Sequence, residues 1–309
     1  MKITFFLLLF ITLLHSSEVV DKKGSCQINW TKGYVICKGE SAAGQNRYAA
    51  NLSAKVVAQR NLLEVIKGIH IDSSTTVQDG IDSNEIIKSR VSGMIRGTQM
   101  ISTIYDEKEK YSISTVKLRM GKDLLSALLS NPQELTLGEK INTIWKKINI
   151  ITAANASIYS ISEKKTIEKL LKDLRDNQNV NASKYVENIL NDMECNIYSG
   201  VLVDISSIEN FKKAMIVKLV DENGKEIYPS NLVSRKTLLR KNTSVGYIYG
   251  YDDARKNKRV CSKPLELKVD KVYKHKYSNI VLSKEQIEQL NLIDKSILIN
   301  AKVILVLGD

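Results

Sequence analysis

The chain reads as an α+β protein: two small domains, each a mainly antiparallel or mixed sheet packed with helices, joined by a helical connector. Three observations carry this. Residues 41–68 hold an apolar stripe at three- and four-residue spacing, the pattern of a helix with one buried face. On either side of residues 131–194, short β-branched runs are separated by turn residues, the pattern of strands. Within 131–194, Ile141, Ile144, Trp145, Ile148, Ile167, Leu170, Leu171 and Leu174 keep helical spacing amid dense charge.

Met1-Lys2 precede an apolar run from Ile3 to Leu14, followed by His15-Ser16-Ser17-Glu18. A charged start, a short apolar stretch and small residues predict a secretory signal peptide over 1–17. The run is shorter than the roughly 20 residues a spanning helix needs, and no later stretch is apolar enough, so no transmembrane segment is expected after cleavage. The expected location is periplasmic or secreted.

The 309 residues suffice for two domains, and 43% hydrophobic with 26% charged residues is a globular composition. The formal charge of +12 allows two readings. One is attraction to an anionic envelope surface; the other is solubility, since the lysines are spread over every element rather than forming one stripe. No nucleic-acid recognition module is present, and an exported chain is a poor partner for nucleic acid.

Four cysteines in an exported chain favour disulfides. Residues 26–37 read as a hairpin with its loop at Thr31-Lys32, which sets Cys26 opposite Cys37. A bridge there closes a short loop and contributes about 3 kcal/mol in the chain-entropy model. Cys195 and Cys261 are then left to pair within the second domain, free buried thiols being the alternative. No CxxC and no His cluster supports a metal site.

The first domain spans 25–130. Ser41 is the expected cap of a helix in which Ala50, Ala54, Val57, Ala58, Leu62, Val65 and Ile66 form the stripe and Gly68 the end. Its small alanines predict close packing on a sheet. Ile69 to Val77 reads as a strand, Asn84 onward as a short helix, and Met94 to Tyr105 with Tyr111 to Met120 as a hairpin. Along the return strand the apolar phase changes, which predicts a bulge near Ser114-Thr115 or apolar cover on both faces. A helix is expected from Lys122 to Leu129. Small sheets with unpaired edges can join side by side. The connector, 131–194, reads either as helices packed on a neighbour or as a spacer.

The second domain, 195–309, opens with the strand of Ile197 to Ile205. Ala214 to Asp221 and Lys225 to Tyr228 flank Asn223-Gly224, a hairpin signal. Residues 231–240 read as a polar helix, Val245 to Tyr251 and Leu265 to Val272 as strands, and Lys284 to Leu290 as a helix. The apolar run Val303 to Leu307 predicts a central strand buried on both faces.

Few residues suggest chemistry. His70 and His275 lie near no nucleophile motif, and no GxSxG, HExxH, P-loop or dinucleotide fingerprint occurs. Asp252-Asp253 sit at an expected helix start, where negative charge suits the helix dipole. No catalytic, metal-binding or cofactor-binding residue is assigned, and no enzyme is expected. The candidate interaction surface is Tyr247, Tyr249 and Tyr251, alternating along one strand, with Asp204 at the end of another. The tyrosines read either as a stacking platform for a sugar or partner, or as a sheet face packed on a helix. Asp204 reads as a ligand contact or as a turn residue.

Gly39-Glu40, Ala50-x-x-x-Ala54, Ile66-Lys67-Gly68, Thr75-Thr76-Val77 and Gly93 to Ile95 together resemble the exported FlgP-like domain. That domain is shared with small outer-membrane lipoproteins and the N-terminal part of the flagellar H-ring protein FlgT. The resemblance covers residues 35–125 and rests on packing motifs. The second half is similar to a domain found downstream of it in uncharacterised exported bacterial proteins. The matching residues are Tyr198-x-Gly200-x-x-x-Asp204, Asp221 to Tyr228, Val245-Gly246-Tyr247, Ala254-Arg255 to Val260, Pro264-Leu265 and Val303 to Leu307. Two departures stand out. The lipoprotein relatives have a lipid-accepting cysteine at the cleavage point, where this chain has Ser16-Ser17-Glu18. Where those with the second domain read Gly-Asp-Asn-Pro, this chain has Cys261-Ser262-Lys263-Pro264. The resemblance implies a bacterial envelope protein, linked to the flagellar basal body, with envelope or flagellar proteins as partners. The expected function is therefore structural: assembly through protein–protein contacts, with self-association. The alternative is a soluble periplasmic binding module for a cell-wall or small-molecule ligand.

Overall fold

The computed structural model describes residues 17–129, 169–173, 176, 182, 198–229, 232–261 and 263–308. The expected leader, apart from Ser17, and nearly all of the expected connector lie outside these residues. The α+β class holds, with three sheets among the described residues.

The first unit is a five-stranded antiparallel sheet built from β1 (Val20–Lys23), β2 (Cys26–Asn29), β3 (Tyr34–Glu40), β4 (Gln99–Asp106) and β5 (Tyr111–Arg119), in the order β1-β2-β3-β5-β4. It therefore starts upstream of the expected residue 25. Cys26 pairs with Cys37 in register, and the two form a disulfide.

One face of this sheet carries α1 (Arg47–Lys67), whose buried stripe is Ala50, Ala54, Ala58, Leu62 and Ile66. The cap is Asn46, whose side chain accepts from Ala49 N at 2.9 Å, rather than Ser41. Ser41 is buried instead, and its Oγ accepts from Ser112 N at 2.9 Å. The helix lies very close to β3: a Cβ on Gly39 would stand 2.0 Å from Ala58 N and 2.5 Å from Ala54 O. Such closeness leaves room only for small groups, so Ser112 and Ser114 continue the buried face that Val116 and Leu118 begin. The expected change of phase on β5 does not occur. The irregularity lies on the partner strand, between Met100 and Ser102.

Residues 69–77 do not form the expected strand. Asp72 Oδ1 accepts from Ser74 N and Thr75 N, closing a tight loop. A reciprocal box between Thr76 and Asp79 then starts α2 (Val77–Ser83). Asn84 caps α3 (Glu85–Arg96), which buries Ile87, Val91 and Ile95 and ends at Gly97. The hairpin therefore begins later than Met94, and Gly93 is helical. A π-helical turn, Met120–Leu125, leads into α4 (Ser126–Leu129), both rich in buried side chains.

The second unit holds a four-stranded sheet of β6 (Gly200–Asp204), β9 (Gly246–Tyr249), β10 (Pro264–Lys268) and β13 (Val303–Leu307), in the order β10-β6-β13-β9 and parallel throughout. As expected, β13 is central and covered on both sides. Val303 and Leu305 enter the main core, and Ile304 and Val306 a smaller one with Leu202, Ile248, Ala254 and Val260. It starts later than Ser296, because Lys295–Ile299 is a short helix. A mixed sheet combines β7 (Lys218–Val220), β8 (Glu226–Tyr228), β11 (Val272–Tyr273) and β12 (Lys276–Val281), in the order β11-β12-β7-β8. Among the described residues the unit also holds four helices: α5 (Arg235–Lys241), α6 (Tyr251–Arg255), α7 (Lys284–Leu292) and α8 (Lys295–Ile299).

The two units share one hydrophobic core, which contains Trp30, Leu62 and Leu124 from the first and Met215, Tyr247 and Leu305 from the second. Met215 N and Ile216 N donate to the carbonyls of His70 and Ile71 at 3.0 and 2.8 Å. Gly121 N donates to Asn242 Oδ1 at 3.2 Å, and a Cβ on Gly121 would come within 2.4 Å of Leu239 O. That glycine lets the π-helical turn rest on the end of α5.

Candidate functional site

The expected tyrosine surface is not formed. Tyr247 is 1% exposed; its hydroxyl donates to Ala214 O at 2.6 Å and accepts from Ala214 N at 3.0 Å. Burial pushes its phenol pKa well above the ordinary value. Tyr249 is partly buried against the same core. Gly250, at φ +79°, ends the strand, so Tyr251 opens α6 and packs on the smaller core. Burial, with Glu266 next to it, raises the Tyr251 phenol to about 12. Asp204 takes the turn role: its Oδ1 accepts from Ser206 N at 3.0 Å. Asp252 and Asp253 are exposed in the first turn of α6, and His275 is exposed in the β11–β12 turn. Cys261 is a free, exposed thiol; its expected partner Cys195 lies outside the described residues.

Two other features remain open to solvent. The first is the edge of the antiparallel sheet. Its outer strands are β1 and β4, and they differ. Strand β1 carries Asp21, Lys22 and Lys23, the kind of charge that blunts an edge. Strand β4 has seven uncharged residues, Gln99 to Tyr105, before Asp106. Ile101 is 48% and Ile104 68% exposed. Ile104 pairs with half-buried Ile113 on the sheet face turned away from α1. The bulge between Met100 and Ser102 twists only the start of β4, leaving Ser102 to Asp106 in regular pairing with β5. On the outer side of α1, Tyr48, Leu52 and Val56 form a second exposed apolar row at four-residue spacing.

The second feature is an open recess of about 250 Å³ where the units meet. Its walls carry Arg240 and Lys241 from the last turn of α5, and Lys258 and Arg259 from the loop after α6. Thr31 from the β2–β3 turn closes one side, and Gly246, Tyr247 and Ile304 form the back. Arg259 is fixed by three carbonyls: Nε donates to Ala301 O at 2.8 Å, and Nη2 to Thr243 O and Ser244 O at 2.8 and 3.0 Å. Nη1 meets no acceptor among the described residues. Burial lowers the Arg259 guanidinium pKa to about 10. Burial, then Arg259, Arg240 and Lys302, lower that of Lys241. The recess lies at the amino ends of the parallel strands, opposite the carboxyl ends where open parallel sheets usually take ligands.

Sequence reasoning reached the unpaired edge as a general feature of the first unit. It missed the recess, because the cations come from separate segments and converge only on folding. Their only trace is two basic pairs, Arg240-Lys241 and Lys258-Arg259. Among the described residues no helix is long and apolar enough to cross a membrane, and no group of three or more His, Cys, Asp or Glu is placed to hold a metal ion.

The fold and these features define a two-unit α+β protein with an open sheet edge and a cationic recess at the junction. Residues 200–309 match the family model described as the second domain of Treponema pallidum Tp0624. The match begins at the first residue of β6 and takes in the whole parallel sheet. No curated protein matches the chain.

Proposed function

We propose that the protein is a non-enzymatic structural component of the bacterial envelope that works through protein–protein contacts and associates with copies of itself. The observation that carries this is β4: an outer strand with no charge from Gln99 to Tyr105 and with Ile101 and Ile104 facing solvent. Such an edge offers unpaired backbone groups and apolar side chains to another strand. The apolar row on α1 supplies a second contact surface. Export is supported by the leader-like first 17 residues and by the Cys26–Cys37 disulfide, which needs an oxidising compartment. The flagellar basal body is the envelope structure that the FlgP-like resemblance favours.

Fractionation and motility test this reading. The protein should be recovered cleaved, oxidised and in large species from the envelope fraction, and a deletion strain should swim poorly. Reduced, uncleaved protein in the cytosol would remove the export reading, and normal swimming would remove the flagellar one. The alternative, a periplasmic binding module, is favoured by one observation, the cationic recess.

A further inference from the structure

We propose that the recess between the two units is a binding site for a small phosphate-bearing anion. Four cationic side chains, Arg240, Lys241, Lys258 and Arg259, line it, and no carboxylate does. None of the four is ion-paired with a described carboxylate, although nine ion pairs occur elsewhere among the described residues. The chain has 34 acidic residues with which to neutralise them, yet it leaves these cations facing one another.

Two of the cations have a second reason to be there. Arg240 and Lys241 close α5, where positive charge suits the helix dipole. That reason does not extend to Lys258 or Arg259, which sit in a loop. Arg259 is the centre of the arrangement. Three carbonyls hold its guanidinium rigid and leave Nη1 unengaged among the described residues. Gly246 makes room for it: a Cβ there would stand 3.0 Å from Arg259 Cδ. Asn257 Oδ1 accepts from Arg259 N at 2.9 Å, which leaves its amide nitrogen as a further donor on the wall. A fixed guanidinium with an amide and ammonium groups in the same lining is a donor set for phosphate oxygens. The volume is below the roughly 300–1,000 Å³ of pockets for drug-sized ligands, so it admits a phosphate or diphosphate group with a small substituent.

The group can belong to a soluble phosphate compound or to a lipid headgroup, and the test separates them. Isothermal titration of the full chain is made with inorganic pyrophosphate, and vesicle co-sedimentation with phosphatidylcholine vesicles containing phosphatidic acid. The expected result is saturable pyrophosphate binding, weakened about tenfold by Lys258→Ala and again by Lys241→Ala, the loss expected for one charge-assisted hydrogen bond each. Lys258 is exposed, so its truncation should leave the melting temperature unchanged. Pyrophosphate binding without vesicle binding assigns the site to a soluble ligand. Vesicle binding that pyrophosphate competes away assigns it to a headgroup. No binding of either probe, or binding unchanged in both variants, overturns the proposal.

Discussion

Thr31 donates its hydroxyl to the carbonyl of Tyr247 at 2.6 Å, joining residues 216 apart in the chain. The same hydroxyl accepts from Val19 N at 2.9 Å, so one side chain in a tight turn ties the start of the first sheet to a strand of the second unit. The Trp30 ring, one residue earlier, meets the Tyr247 ring edge-on at 5.5 Å. The units are therefore held by part-buried hydrogen bonds and a ring contact at the margin of a common core.

Tyr247→Phe tests the second unit's side of that junction, since Ala214 lies in the second unit and the Thr31 and Trp30 contacts to Tyr247 remain. It leaves Ala214 N and O without their buried partner, and leaving buried polar groups unmet costs about 1–3 kcal/mol. Urea denaturation followed by both Trp fluorescence and far-UV circular dichroism should show one transition, shifted to lower urea. Two separate transitions in the wild type would mean that the units unfold independently.

Gly39→Ala should be among the most damaging single substitutions. The new Cβ meets the α1 backbone at Ala58 N and Ala54 O, which cannot give way as a flexible side chain would. Overpacking of this kind costs typically about 1–3 kcal/mol and more against backbone. Thermal unfolding should show a fall of several degrees, while Gly24→Ala, where the added carbon meets nothing but the backbone takes φ +56°, should give a smaller loss.

Reduction of the Cys26–Cys37 disulfide, or the double change to serine, should lower stability by about 3 kcal/mol in the chain-entropy model. Comparing urea midpoints with and without reductant measures this.

Stability should also fall in mild acid through His70. Burial, then Lys212, lower its pKa in the folded protein, with Lys23 acting the same way and Asp72 and Asp79 opposing. Its Nδ1 is buried without a partner among the described residues. Because the folded pKa lies below the unfolded value of about 6.5, the unfolded chain binds the proton better. The stabilising contribution is therefore present above about pH 6.5 and is lost as the pH drops through the folded value. Since the carbonyls of His70 and Ile71 bond the second unit, the loss falls on the junction. His70→Gln should flatten the dependence of the urea midpoint between about pH 7 and 5.

The elements legible in the sequence were those set by local counting. Register arithmetic around Thr31-Lys32 placed Cys26 opposite Cys37, and the run Val303 to Leu307 marked the buried central strand. The losses came where tertiary packing decided. Ser112 and Ser114 read as polar, so apolar periodicity does not mark the buried face of β5; it is set by α1, which lies too close for larger side chains. The strand expected at 69–77 lost to turn and cap chemistry at Asp72 and Thr76, which β-propensity does not see. Tyr251 left the tyrosine row because a single Gly250 turned the chain. The recess was illegible for a different reason: Arg240, Lys241, Lys258 and Arg259 share a site only through the fold.

If β4 is a contact edge, the protein assembles through it. Sedimentation velocity across a range of concentrations, on the wild type and on Ile104→Lys, tests it most directly. The wild type should form concentration-dependent oligomers and the variant should stay a monomer, with the two melting at the same temperature because Ile104 is already exposed. A wild type that stays monomeric throughout, or a variant that assembles equally well, would contradict it.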